Sequence, residues 1–187
     1  MTVKRISQFF NPKSVAIIGA SNQENRAGFV VMRNLLQGGF NGPVMPVTLK
    51  YKAVHGVLAY PTISDLPQVP DLAIVCTNKH LSFKLIEELG AKGCKYAILI
   101  ASGFKTERKH QLKEVAKAAG VSILGPNCLG LLIPNIGLNA SFSHTVASQG
   151  KIAFISQSAA VCSTILDWAQ NRGIGFSYFV SMGDCID

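Results

Sequence analysis

The chain has 187 residues, 48% of them hydrophobic, with 18 lysines and arginines against 10 acids, giving a formal charge of +8. This length can bury one substantial core, and no apolar run approaches the roughly 18 residues a bilayer span needs. With no apolar leader after Met1, the expectation is a cytoplasmic protein without a membrane partner.

The basic residues spread over expected helix surfaces and strand-exit loops and do not cluster with aromatics, which favours a small anionic ligand over nucleic acid. Five cysteines at wide spacing, none in a C-x-x-C pair, read as reduced thiols that mostly fill the core. Cys128, in a glycine-rich loop, is the one kept in view as a nucleophile.

In chain order, Ile6 to Pro12 reads as a short lead-in helix or turn that packs Phe9 and Phe10 on a sheet edge. Val15-Ala16-Ile17-Ile18 runs into Gly19, a polar loop and a helical pattern with Val30, Val31, Leu35 and Leu36 on one side, stopping at Gly38-Gly39. Strand, tight turn and helix in that order aim backbone N–H groups and a helix dipole at an anion. Gly19 permits the turn, Ser21 and Asn22 offer side-chain hydrogen bonds, and Arg26 adds a fixed positive charge. The G-x-G-x-x-G fingerprint is not met, since Ser21 replaces the second glycine and the third is delayed to Gly28.

The second strand, Pro43 to Val47, leads into Lys50 and Lys52 with no acid to hold a ribose, which favours a ligand with an extra phosphate such as coenzyme A or NADP over NAD. A short extended piece follows at Val54–Pro61. The third strand, Leu72–Cys76, exits through Thr77-Asn78-Lys79-His80 into a helix carrying Leu81, Leu85, Ile86 and Leu89. The fourth, Tyr96–Ile100, exits through Ser102-Gly103 into a helix over Glu107–Ala119, and the fifth, Val121–Leu124, enters the loop Gly125-Pro126-Asn127-Cys128-Leu129-Gly130. Alternation with short connections predicts an α/β fold: a Rossmann-like, doubly wound, mostly parallel sheet with the ligand at the strand exits.

Residues 134–150 are rich in Asn, Ser and Gly and read as a linker or wrapping loop after a first domain at 1–133. The strand-turn-helix theme returns with the strand Lys151–Ile155, the turn Ser156-Gln157-Ser158, a largely apolar helix over Ala160–Arg172 and a further strand from Ser177. Residues 151–187 therefore read as the start of a second α/β domain in a piece of a longer protein.

Several runs together carry a resemblance over the whole chain: Pro12–Ser21, Pro46–Tyr51, Gly125–Gly130, Gly137–Phe142 and Phe154–Ser158. They resemble the N-terminal coenzyme A-binding domain of NDP-forming acyl-CoA synthetases, relatives of the succinyl-CoA synthetase α subunit, and the first part of its flavodoxin-like second domain. Within that family, Arg26-Ala27-Gly28, Met32–Leu36, Gly38–Pro43 and Ile165–Gln170 look most like bacterial Pat-type protein lysine acetyltransferases. The resemblance implies a module for coenzyme A or acetyl-CoA that catalyses nothing alone, with homo-oligomerisation left open. Gly19, Ser21, Asn22 and Arg26 would hold phosphate, and Lys50 the ribose phosphate end. Thr77, Asn78, Ser102 and Gly103 would line the pantetheine arm, and Asn127 would steady the loop near the thiol. The parent is then a Pat-type acetyltransferase or, as the alternative, an ADP-forming acetyl-CoA synthetase using ATP or ADP outside this chain. A Rossmann redox regulator binding NAD(H) is the alternative of another class. Ala159 departs from the family's Ser-Gln-Ser-Gly turn, and the family's phosphohistidine lies beyond residue 187. His55, His80, His110 and His144 match no catalytic position of the family.

Overall fold

The computed structural model describes residues 7–187. Ile6, with which the expected lead-in segment starts, and the leader reading of Met1–Ile6 lie outside the described residues. Phe9 and Phe10 pack edge-on to each other and meet Tyr96 and Tyr178.

Five parallel strands form the first sheet: β1 (Val15–Ile18), β2 (Val44–Val47), β5 (Leu72–Val75), β6 (Tyr96–Leu99) and β7 (Ser122–Leu124), in the order β2-β1-β5-β6-β7. β1 sits between β2 and β5, with Val15 opposite both Val44 and Leu72. Every residue of β1, β5 and β6 is buried, as continuous apolar runs require in a sheet covered on both faces. The pleat divides β1 between two cores. Ala16 and Ile18 face Ile86, Leu89, Leu112 and Ala116 of helices α2 (Ser82–Lys92) and α3 (Thr106–Ala119). Val15 and Ile17 face Met32 and Leu35 of helix α1 (Ala27–Gln37), together with Leu131, Ile133 and Leu138. Gly93 and Gly120, both at positive φ, end α2 and α3. Gly90 lies inside α2 and packs on Ala119.

The stretch read as a short extended piece is a hairpin of β3 (Ala53–Val54) and β4 (Val57–Leu58). The larger correction concerns the expected linker. Residues 130–141 form a second hairpin, β8 (Gly130–Ile133) and β9 (Leu138–Ser141), whose eight residues are all buried. It belongs to a second sheet ordered β10-β11-β8-β9, with β10 (Ser148–Ser156) parallel to β11 (Gly175–Ser181) and β11 antiparallel to β8. Helix α4 (Ala159–Gln170) covers this sheet's outer face through Cys162, Leu166 and Ala169. The hairpin is also tied to the first unit: buried Asn34 of α1 donates to the carbonyls of Ser141 and Ser143 at 2.9 and 2.8 Å. Among the described residues no helix is long and apolar enough to cross a membrane.

Candidate functional site

The chain leaves β1 for β2 on one side and returns from β2 to β5 on the other, so the topology switches between β1 and β5. In open parallel sheets of this kind a crevice forms outside the carboxyl ends of the two strands at the switch. Gly19 leaves β1 at φ 90°, with its N–H on the Val47 carbonyl at 3.0 Å. A Cβ on Gly19 would come within 2.8 Å of the Thr77 methyl and 3.3 Å of the Cys76 carbonyl carbon, so the exits of β1 and β5 touch only because residue 19 has no side chain. Thr77 Oγ1 is out of solvent and has no hydrogen-bond partner among the described residues. A buried hydroxyl without a partner costs free energy unless a bound group supplies one.

Helix α1 starts against this turn. Gly28 is buried in its first turn, where a Cβ would run into the Gly19 carbonyl oxygen. It therefore does the work of the fingerprint's third glycine, close packing of helix on strand turn. Arg26 is the N-cap, gives no side-chain cap, and no acid lies in the first turn. The positive end of the α1 dipole is consequently unopposed by any carboxylate of its own. Ser21 is 8% exposed, and its Oγ accepts the Gln23 N–H at 3.0 Å, leaving its proton to donate. The Arg26 side chain is exposed and touches Gln23 Oε1 at 3.3 Å.

Asn22 turns its side chain to the neighbouring hairpin. Both ends of its carboxamide are engaged by the β3–β4 hairpin: Nδ2 donates to the Ala53 carbonyl at 3.0 Å, and Oδ1 accepts the His55 N–H at 3.1 Å. Lys50 stands exposed in the loop between β2 and this hairpin, and neither it nor Lys52 makes an ion pair among the described residues.

On the other side of the crevice Asn78 caps a single helical turn by accepting the His80 N–H at 3.0 Å. Gly103 is at φ 77°, and its carbonyl accepts from Lys79 Nζ at 2.8 Å, so Lys79 bridges the exits of β5 and β6 beside exposed Ser102. Lys79 is absent from the sequence-derived site. Only its place in a strand-exit loop marks it. Asn127, at φ 60°, donates its backbone N–H to the Ala101 carbonyl at 2.9 Å and its side chain to Asp184 at 3.3 Å. Asp184 also pairs with Lys109 at 2.8 Å, which fixes the 125–127 loop between α3 and the segment after β11. No local pattern links Asp184 to Asn127, 57 positions apart. Cys128 is a core residue: burial pushes its thiol up to about 12, which removes it as a nucleophile at neutral pH.

The second turn, Ser156-Gln157-Ser158, is closed on itself. Ser156 Oγ accepts the Ser158 N–H at 3.1 Å, and Ser158 caps α4 by accepting the Val161 N–H at 3.3 Å. A surface cavity of about 480 Å³ lies at the opposite end of the first sheet, beside Lys95, Lys113 and Lys117. Among the described residues no group of His, Cys, Asp and Glu is arranged to hold a metal.

Residues 13–134 match the family of CoA binding domains, and residues 149–187 match the succinyl-CoA ligase like flavodoxin domain. Acetate–CoA ligase (ADP-forming) I of Archaeoglobus fulgidus is 40% identical over 185 residues, 96% of this chain and 27% of that protein. The α subunit of acetate–CoA ligase (ADP-forming) II of Pyrococcus furiosus is 40% identical over 191 residues, 97% of this chain and 41% of that subunit. Among solved structures, the apo dinucleotide forming acetyl-coenzyme A synthetase 1 of Ca. Korarchaeum cryptofilum superposes with a TM-score of 0.94 at 34% identity. The match covers 97% of this chain and 41% of that one. The chain thus spans between about a quarter and two-fifths of the length of these relatives. They support the ligase alternative better than the Pat-type closeness placed first on sequence grounds.

Proposed function

This chain belongs to the family of CoA binding domains, and from that premise we propose that it is the coenzyme A-binding part of an ADP-forming acyl-CoA ligase. Its division into a ligand-binding unit built on the first sheet and the start of a second unit built on the β10-β11-β8-β9 sheet is part of this proposal. The observation that carries the reading is Thr77 Oγ1, buried and without a partner among the described residues where the exits of β1 and β5 meet. A ligand crossing that crevice can accept its proton while phosphate oxygens meet the N-terminus of α1, the Ser21 hydroxyl and Arg26. Lys50, exposed and with no ion pair among the described residues, then takes the ribose phosphate, and Ser102 and Gly103 border the pantetheine arm. A solved relative, the dinucleotide forming acetyl-coenzyme A synthetase 1 of Ca. Korarchaeum cryptofilum, is in complex with phosphate and ADP. We assign the nucleotide step of the parent enzyme to residues outside this chain.

Titration calorimetry tests the reading. Coenzyme A should bind more tightly than NAD, and Lys50→Glu should weaken coenzyme A by about 2 kcal/mol, roughly thirtyfold, through loss of a charge-assisted bond. Dephospho-coenzyme A should lose much less. Equal or tighter binding of NAD overturns the proposal.

A further inference from the structure

The Asn22 carboxamide is occupied at both ends by backbone groups of the β3–β4 hairpin, at 3.0 Å to the Ala53 carbonyl and 3.1 Å to the His55 N–H. The hairpin tip has His55 at φ 49° and Gly56 at φ 81°, the two positive values that a tight two-residue turn takes when it matches strand twist. The His55 ring lies 4.5 Å from that of Phe29, in the first turn of α1. The hairpin in turn closes the loop that carries Lys50. At one end of the loop the Thr48 N–H donates to the Tyr60 carbonyl at 2.9 Å, and at the other the Ala59 N–H donates to the Lys52 carbonyl at 2.9 Å. A continuous path of hydrogen bonds therefore runs from the β1–α1 turn through Asn22 and the hairpin to the backbone on either side of Lys50.

We propose that Asn22 is a positioning residue that sets the distance between the anion-binding turn and Lys50, selecting ligands that carry phosphate groups at both places. This rests on the coenzyme A reading above. An exposed lysine on a free loop gains little from an anion, because ordering its loop and side chain offsets the attraction. Tying the loop before the ligand arrives removes much of that cost.

Coenzyme A and dephospho-coenzyme A are titrated into the wild type, Asn22→Ala, Lys50→Ala and the double variant. Asn22→Ala should weaken coenzyme A about tenfold and dephospho-coenzyme A less than about twofold, and once Lys50 is alanine the further loss from Asn22→Ala should fall below about twofold. The ratio of the two affinities is the readout, since a general loss of stability weakens both ligands alike. Equal losses for the two ligands, or additive losses in the double variant, overturn the positioning role. Failure of the wild type to bind coenzyme A overturns the reading of the site and this inference with it.

Discussion

Thr77→Val removes one hydroxyl and keeps the branched shape that lies against Gly19. Its two consequences have opposite signs. Without ligand, the wild-type protein holds Thr77 Oγ1 out of water with no partner among the described residues, and a buried polar group left so costs about 1–3 kcal/mol. Replacing it with a methyl should raise the stability of the free protein by about 1–2 kcal/mol. For a chain of this size that is about 2–4 °C in Tm per kcal/mol. With ligand, the same change deletes a hydrogen bond to coenzyme A. If the acceptor is a charged phosphate oxygen, the loss is about 1.5–3 kcal/mol, or between roughly tenfold and a hundredfold in Kd.

Thermal unfolding of the free protein and calorimetry with coenzyme A, on the same preparations, separate the two effects. Thr77→Ser is the control, because it keeps the hydroxyl and loses the methyl, and it should bind within a few-fold of the wild type. A fall in the Tm of free Thr77→Val would mean that the hydroxyl already has a partner. A rise in Tm with unchanged affinity would mean that the hydroxyl does not face the ligand. Either result removes the observation on which the proposed function rests.

Gly28→Ala should be among the costliest small changes in the first unit. The new Cβ meets the Gly19 carbonyl oxygen, which is backbone and cannot rotate away, so a loss of about 3 kcal/mol or more is expected in urea unfolding. A loss under about 1 kcal/mol would show that helix and turn can separate freely. His55 gives a pH dependence: burial first, then the charge of Arg33, holds its pKa below the ordinary 6.5. Above that value the ring is neutral in both folded and unfolded chains. As pH falls below 6.5 the unfolded chain takes up the proton first, so stability drops until the folded ring also titrates. Between pH 7 and 5 the wild type should therefore lose more Tm than His55→Asn, a side chain that tolerates positive φ. Parallel curves would remove His55 as the source.

The centre of the parallel sheet was legible because β1, β5 and β6 are buried on both faces and read as unbroken apolar runs. The β8–β9 hairpin was not. Asn139 and Ser141 are buried, and they satisfy each other through a hydrogen bond of 2.6 Å. In sequence these residues look like loop composition, and the side chain that meets the Ser141 carbonyl, Asn34, lies 107 positions away. The same limit applies within the site. Gly19 and Thr77 could be named from their places at strand exits, but whether a named side chain is free to meet a ligand depends on pairings made across the fold. Asn22 is occupied and Thr77 is not, and no local pattern distinguishes them.

The departure from the dinucleotide fingerprint has a physical meaning in these terms. Glu24 stands where the third glycine would fall, and Gly28 comes four residues later. Gly28 still performs the close packing of helix on turn, so the insertion leaves the seating of α1 on β1 intact. What the extra residues add is a polar loop long enough to reach sideways. Ser21 closes its base through the Gln23 N–H, and Asn22 extends from it to the β3–β4 hairpin. A short all-glycine turn brings backbone close to a pyrophosphate but has no side chain with which to hold a neighbouring loop. The longer turn gives up the second glycine's close approach and gains a connection to the segment that carries Lys50. That exchange suits a ligand recognised by phosphates at two separated places better than one recognised by its pyrophosphate and an unmodified ribose.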